Sequence, residues 1–199
     1  MHVPIAESEA CTCGRRQMSF RGDGTLDDFC EHLLASGLYT GAVCLAHNAS
    51  RYDTHFILQY AVRCGLAPEV VSNGLKIMSL SIGGVKFIDS CNFLPMALAA
   101  LPKAFGLREL CKGYFPHRFN TPENQGYVGP YPDARYYAPE HMTEPSKAAF
   151  EVWHRSKIDE VFDMQSDLEA YYESDADILQ RACGVFRNLF WEYSGLEPF

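Results

Sequence analysis

The run GAVCLA at residues 41–46, followed directly by HNASRYD at residues 47–53, decides the fold that this sequence predicts. A short apolar run after a glycine is typical of a buried strand. Ser50 and Asp53, three residues apart, resemble a capping box and predict a helix that continues to about Cys64. Ligands collect at such strand-to-helix junctions in α/β folds. The junction is therefore the first candidate for a functional site.

The rest of the chain extends this α/β pattern on both sides. Residues 1–24 are polar and have no sustained period, so an irregular segment is expected there. Asn73-Gly74 and Gly83-Gly84 predict tight turns between antiparallel strands. The expected strands are 68–71, 75–82 and 85–93, the expected helices are 26–38, 96–105 and 166–191 (beginning near Ser166), and a long loop is expected over 115–145. These elements predict a mixed sheet flanked by helices in a single domain over residues 1–199.

Composition and charge exclude several classes of protein. The chain has 199 residues, 47% hydrophobic and 21% charged. It has no run of about 18 apolar residues, so we expect no transmembrane helix and no membrane partner. The N-terminus lacks the features of a signal peptide, so an intracellular location is expected. The formal net charge of −8 argues against nucleic-acid binding through a broad basic face, and it suits a site where carboxylates hold divalent cations.

The 8 cysteines are scattered along the chain. Without a secretory signal they are expected to be reduced and to pack as small apolar side chains. Cys11 and Cys13 alone have a spacing that fits a metal, and a zinc site there would need two further ligands.

The last predicted helix has a carboxylate on its apolar side. Tyr171, Ile178 and Ala182 belong to an apolar stripe at helical spacing. Asp175 occupies the position where this stripe requires an apolar residue, one turn after Tyr171. An unpaired carboxylate in a core costs several kcal/mol, so Asp175 is expected to have a compensating cation, most simply a metal ion. The alternatives are an ion pair with Arg181 or another basic group, and a position in solvent.

Asp53 has a similar placement in the first turn of its helix, where the helix dipole favours the ionised carboxylate. His47, Asn48 and Tyr52 surround it in the sequence at the junction. The alternative is that Asp53 only completes a helix cap with Ser50.

Two motifs resemble those of a known family. His47-Asn-Ala-Ser-Arg-Tyr-Asp53 and Tyr171-Tyr-Glu-Ser-Asp175 are similar to the second and third motifs of the 3′→5′ exonuclease domain of family B DNA polymerases. Lys112-Gly-Tyr-Phe115 and Phe87-Ile-Asp-Ser90-Cys-Asn-Phe-Leu94 resemble the lysine and Ser/Thr-Leu motifs of the protein-primed subgroup, with Cys91 in place of the leucine. Longer stretches resemble polymerases of Maverick/Polinton transposons and of related viruses and plasmids.

The resemblance implies a ribonuclease-H-like exonuclease fold that hydrolyses 3′-terminal phosphodiesters with Mg²⁺ or Mn²⁺. Asp53 and Asp175 would be the catalytic metal ligands. Tyr171 would orient the attacking water, and Lys112 would offset phosphate charge. The residues that would hold the single-stranded 3′ end of DNA are His47, Asn48, Tyr52 and Ser90. Further implied partners are the polymerase domain of the full-length protein and a terminal priming protein, and the implied location is the nucleus, a virus or a mobile element.

Two departures from the family's pattern change what is expected. The first exonuclease motif, Asp-x-Glu on an upstream strand, has no counterpart, since Glu7-Ser-Glu9 lies in no strand-like context. The palm and fingers motifs of the polymerase are also missing. We therefore expect a fold truncated at its N-terminal strand, with 42–46 at an open sheet edge that favours self-association. We also expect the isolated chain to be inactive, or nearly so, as a nuclease.

Two other functions stay open at this point. One is a non-catalytic module, retained by a host, that binds single strands or a protein partner. The other is a small zinc-binding module built on Cys11 and Cys13, which would contain stoichiometric zinc.

Overall fold

The computed structural model describes residues 2–4, 17–107 and 113–199. Its strands are β1 His2–Pro4, β2 Gln17–Ser19, β3 Val43–Ala46, β4 Glu69–Asn73, β5 Lys76–Ile82, β6 Val85–Asp89, β7 Val128–Pro130 and β8 Val161–Asp163. Its α-helices are α1 Thr25–Leu34, α2 Asp53–Arg63, α3 Leu101–Ala104, α4 Glu144–Ser156 and α5 Met164–Ser194. The chain divides into two compact units, the first from Met1–Leu110 and Ala176–Phe199 and the second from Cys111–Asp175.

A four-stranded mixed sheet lies at the centre of the first unit. Its strand order is β3-β6-β5-β4, and β5 pairs antiparallel with both β4 and β6. Gly74, Gly83 and Gly84 form the two connecting turns with positive φ, as the glycines at these positions predict. β3 pairs with β6 in parallel, and Ala46 lies opposite Asp89. The predicted α/β architecture with a mixed sheet is confirmed, and the carboxyl ends of β3 and β6 meet at one edge.

Helices cover both faces of this sheet. Cys44 and Leu45 are successive residues of β3, so their side chains point to opposite faces. Cys44 packs against a buried cluster built from α1, α2, β5 and β6, in which Leu80 is 0% exposed. Leu45 packs against a second cluster, to which α3 and the part of α5 after Asp175 contribute Leu101 and Ile178.

The second unit has an aromatic core. β7 and β8 form an antiparallel pair, and Phe162 of β8 is buried with Phe115, Met164 and Tyr171. α4 adds Phe150, which is fully buried. The sequence analysis has no element at α4 or β8, because Phe150 is the one buried residue of α4 and gives no periodic stripe.

The predicted helix starts differ from those observed. The helix predicted at Ser50 begins at Asp53, and no side-chain hydrogen bond caps it, so the capping-box interpretation is wrong. The long helix expected near Ser166 begins at Met164, where Asp163 accepts hydrogen bonds from the backbone N–H groups of Gln165 and Ser166. A carboxylate just before a helix satisfies the same N–H groups that a capping serine would.

Strand lengths also differ from the expectation. β6 ends at Asp89, because residues 90–92 turn into a 3-10 helix whose cap is the Asp89 side chain. The segment 1–24, expected to be irregular, contains the antiparallel pair β1–β2. Three-residue strands are too short to produce an alternating pattern. Within the described ranges, β3 is an edge strand, as expected.

The described cysteines are free thiols, in agreement with the sequence analysis: Cys30, Cys44, Cys64, Cys91 and Cys183. Burial raises the pKa of Cys30 and Cys183 to about 12, so both stay protonated at neutral pH. Cys11, Cys13 and the Glu7–Glu9 stretch lie outside the described residues. No helix in the described ranges is long and apolar enough to cross a bilayer.

Among the described strands, β3 has a neighbour on one side only, and its other side is expected to favour self-association. Val43 is 39% exposed on this edge, and a lysine there should reduce self-association because charged side chains on an edge oppose strand pairing. Light scattering of the purified chain should give a lower mean mass for Val43→Lys than for the wild type. The matched control is Leu75→Lys, which removes a fully exposed apolar side chain from a turn. Equal masses for wild type and Val43→Lys would contradict the edge-pairing account.

Candidate functional site

The loop at residues 47–53, here called the junction loop, connects β3 to α2 at the carboxyl edge of the sheet. Asn48 adopts the left-handed conformation with a φ of 64°, which asparagine tolerates better than most residues. A 3-10 turn follows over Ala49–Arg51, and Tyr52 is the residue before the first turn of α2. The tight turn of the loop therefore depends on a residue at position 48 that tolerates the left-handed conformation.

The carboxylate of Asp89 holds the backbone of this loop. Its Oδ1 accepts hydrogen bonds from the N–H groups of Asn48 at 3.0 Å and Cys91 at 2.9 Å, and its Oδ2 accepts one from Ser50 at 3.0 Å. Asp89 is 2% exposed. A buried carboxylate is tolerated when several N–H groups donate to it, as here.

The His47 side chain provides a second attachment. Its Nδ1 lies 2.8 Å from Ser90 Oγ and its Nε2 lies 2.9 Å from the carbonyl oxygen of Met96. Because a carbonyl can only accept, Nε2 carries the proton in the neutral ring, and Nδ1 accepts from the Ser90 hydroxyl. Ser90 is 0% exposed, so in this structure its hydroxyl holds the His47 ring.

Asp53 is a half-buried carboxylate at the start of α2. Burial raises its pKa, and the negative charge of Asp89 adds to this, while its own backbone N–H acts in the opposite direction. The alternative in which Asp53 only caps the helix with Ser50 does not fit, since α2 has no side-chain cap and the Ser50 N–H donates to Asp89. A bound cation would offset the unfavourable charge on Asp53.

Asp89 has the opposite electrostatic character. Burial acts to raise its pKa, but hydrogen bonds from Ser50 and Cys91 outweigh burial and hold the pKa of Asp89 below its ordinary value. Two carboxylates therefore lie at this sheet edge. Asp89 is ionised and accepts hydrogen bonds from backbone N–H groups. At Asp53, in contrast, the folded state disfavours the ionised carboxylate.

Asp89 is the important residue that the sequence analysis missed as a site residue. In the sequence, Asp89 stands inside the Phe87–Leu94 stretch that resembles the Ser/Thr-Leu motif, and that motif assigns no role to it. Val85, Phe87 and Asp89 alternate along β6 and are all buried. This period of two places a carboxylate on an inward face, the same signal that singled out Asp175 on its helix.

Four of the predicted site residues cluster with Asp53 in the first unit. They are His47, Asn48, Tyr52 and Ser90. Tyr52 is 61% exposed, so its ring can stack with a ligand. Lys112 lies outside the described residues.

The second unit contains the other predicted motif. Tyr171 is 9% exposed, and its ring centroid lies 5.4 Å from that of Phe115 and 5.3 Å from that of His117. Asp175, one turn later on α5, is half-buried with a buried Oδ1. Burial, followed by the charge of Asp175, raises the pKa of the neighbouring Tyr172. On the same helix, Arg181 donates a hydrogen bond to Asp177 at 3.0 Å.

The carboxylates of the candidate site have the chemistry of metal ligands. Carboxylate oxygens are the ligands that Mg²⁺ and Mn²⁺ prefer, and Asp53 fits that chemistry. In the part of the chain that the structure describes, no three His, Cys, Asp or Glu side chains come together in a way that could hold a metal. The described residues thus offer ligands and do not by themselves complete a metal centre.

Comparison with known proteins matches most of the chain to one family. The family described as DNA polymerase type B, organellar and viral, matches residues 39–196. A probable DNA polymerase of Ascobolus immersus is 27% identical over 188 residues, covering 82% of this chain and 15% of that protein. One of Agaricus bitorquis is 31% identical over 116 residues, covering 51% of this chain and 13% of that protein. The chain therefore spans less than a sixth of either relative, and no solved structure matches it.

The two carboxylates should respond in opposite ways to loss of charge. Asp53→Asn should raise the melting temperature at pH 7, because the folded state disfavours the ionised form, and the gain should vanish below the ordinary pKa, where Asp53 is protonated in both states. Asp89→Asn should lower the free energy of unfolding at pH 7 by about 1–3 kcal/mol, because buried N–H groups lose a charged acceptor. The stabilising effect of Asp89 should fade as pH falls through its depressed pKa.

Thermal unfolding of both variants between pH 3 and pH 7 measures these effects. Asp133→Asn is the control, because Asp133 accepts a backbone hydrogen bond from Arg135 on an exposed turn. Shifts of the same sign in Asp53→Asn and Asp89→Asn at pH 7 would contradict the assigned division of roles.

Proposed function

Because this chain belongs to the organellar and viral type B DNA polymerases, we propose that it carries part of the 3′→5′ proofreading exonuclease site of such a polymerase. The observation that supports this most directly is the junction loop, which presents an exposed aromatic ring beside a half-buried, destabilised carboxylate. The parallel pairing of β3 with β6 in a mixed sheet supports the ribonuclease-H-like fold that the proposal requires.

The ligand of the junction loop is the 3′ end of single-stranded DNA. Tyr52 stacks on a terminal base, an interaction that tolerates any base because each has a π face. The side chain of Asn48 offers both a donor and an acceptor to the terminal nucleotide. The His47 ring is held against Ser90 and Met96, and since Ser90 is fully buried, we assign it to positioning His47 instead of contacting DNA.

Asp53 and Asp175 are the carboxylates that this chain contributes to Mg²⁺ or Mn²⁺ binding. When bound, divalent cations stabilise charge on the attacking and leaving oxygens of a phosphodiester. Tyr171 orients the attacking water, with its ring held by Phe115 and His117. Lys112 offsets phosphate charge, and the polymerase domain and a terminal priming protein are the further partners that this role implies.

These residues alone do not make an efficient nuclease. The sequence has no Asp-x-Glu motif in a strand-like context, and the described residues gather no three-ligand metal group. The expected behaviour of the 199-residue chain is binding of 3′ ends with little hydrolysis. The absence of a three-ligand group among the described residues also favours a second candidate, a non-catalytic module that binds single strands.

A labelled single-stranded oligothymidylate with a free 3′ end tests the proposal. In Mn²⁺ the chain should bind it more tightly than the same oligonucleotide blocked by a 3′ phosphate, and gels should show little shortening from the 3′ end. Tyr52→Ala should weaken binding about 5- to 150-fold, since stacking contributes roughly 1–3 kcal/mol per base.

The matched control is Tyr193→Ala, which removes an 85% exposed tyrosine from the far end of α5. Asp175→Ala should weaken the Mn²⁺ dependence of binding. Equal affinity for free and blocked ends in the wild type would favour the non-catalytic module. Efficient laddering lost in Asp175→Ala would show that the metal centre is complete in this chain.

A further inference from the structure

Asp89 uses both carboxylate oxygens on three backbone N–H groups, those of Asn48, Ser50 and Cys91, at 2.9–3.0 Å. Two of these donors belong to the junction loop and the third belongs to the turn that follows β6. With both oxygens committed and 2% exposure, Asp89 has little capacity left to bind a cation or DNA directly. Any effect it has on ligands must pass through the backbone that it holds.

Two side chains also hold this segment: His47 bonds to Ser90 and Met96, and the Nε2 of His55 lies 3.1 Å from the carbonyl oxygen of Ser50. Neither of them takes the place of Asp89 as the acceptor for the N–H groups of Asn48 and Ser50. Asn48 is in the left-handed region and Ala49–Arg51 is a single 3-10 turn, which hydrogen-bonds mainly to itself. Ala49 is 4% exposed and Ser50 is 9% exposed, so water does not readily replace a lost acceptor there. An anion that accepts from several nearby N–H groups favours the loop conformation that brings those groups together.

The hydrogen bonds to Asp89 determine the positions of Tyr52 and Asp53, the two side chains proposed to face the ligand. Tyr52 and Asp53 follow the anchored segment directly, and the N–H groups of His55 and Phe56 donate to the Tyr52 carbonyl at the start of α2. A shift of the turn at Ser50 therefore moves Tyr52 and reorients the first turn of the helix.

We propose that Asp89 is a positioning residue: its buried carboxylate holds the junction loop in the one conformation that presents Asn48, Tyr52 and Asp53 to a single-stranded 3′ end. The inference rests on the proposed function for the identity of the ligand. Its structural half, that Asp89 selects the loop conformation, stands independently of that function.

The test compares the wild type, Asp89→Asn and Asp163→Asn, each as the 199-residue chain. Asp163 is the matched control because its carboxylate also accepts two backbone N–H groups, at the start of α5. If the loop keeps its conformation about a tenth of the time without Asp89, the dissociation constant for the free-3′-end oligothymidylate rises about tenfold. The amide signals of Asn48, Ser50, Tyr52 and Asp53 should move and exchange faster with solvent in Asp89→Asn, while signals from β5 stay in place. Asp163→Asn should change neither readout.

Each outcome separates the two claims. Two results for Asp89→Asn would overturn the positioning role. One is loop amide signals that move while the affinity for the 3′ end is unchanged, and the other is loop amide signals that do not move. If the wild type binds no oligonucleotide, the proposed function fails, and the amide comparison still decides whether Asp89 holds the loop. If Asp89→Asn does not fold, the wild-type amides of Asn48, Ser50 and Cys91 decide it, because strong hydrogen bonds require downfield shifts and slow exchange. Fast exchange at these three amides would contradict the inference.

Discussion

Three backbone N–H groups donating to the carboxylate of Asp89 are the interaction on which the rest of the candidate site depends. The parallel pairing of β3 with β6 places Asp89 opposite Ala46, where the chain leaves the sheet. A carboxylate at this point can reach the loop on one side and the turn after β6 on the other. Removing the charge would leave buried donors without an acceptor, which is more costly than the net contribution of an ordinary hydrogen bond.

The same sheet edge contains a second carboxylate, Asp53, whose pKa is raised where that of Asp89 is lowered. The described residues give Asp53 no comparable set of donors, and both burial and the charge of Asp89 disfavour its ionised form. Such a group is unfavourable to the folded protein unless a ligand compensates it, and this is common for functional carboxylates. Under the proposed function, that ligand is a divalent cation together with the phosphodiester of a DNA end.

The sequence was sufficient where periodicity and turn chemistry act locally. The β4–β5–β6 meander followed from alternating residues and from Gly74, Gly83 and Gly84, all of which have positive φ. The capping-box prediction failed because the N–H of Ser50 has a long-range acceptor, Asp89, that no local pattern reveals. α4 was missed because only Phe150 of that helix is buried. The strand-to-helix pattern indicated the junction at 47–53, and the resemblance supplied the roles expected for its residues. The burial of Ser90 and its bond to His47 required the tertiary structure.

A Mn²⁺ titration of the wild-type chain, followed by amide NMR, tests the central claim that Asp53 and Asp175 are its metal-binding carboxylates. Paramagnetic broadening should appear first at the amides next to Asp53 and Asp175, and Asp53→Asn should suppress it at residues 52–54. The amide next to the exposed Asp133 provides the internal reference for weak surface binding. Broadening at Asp133 that equals or precedes broadening at Asp53 would contradict the account.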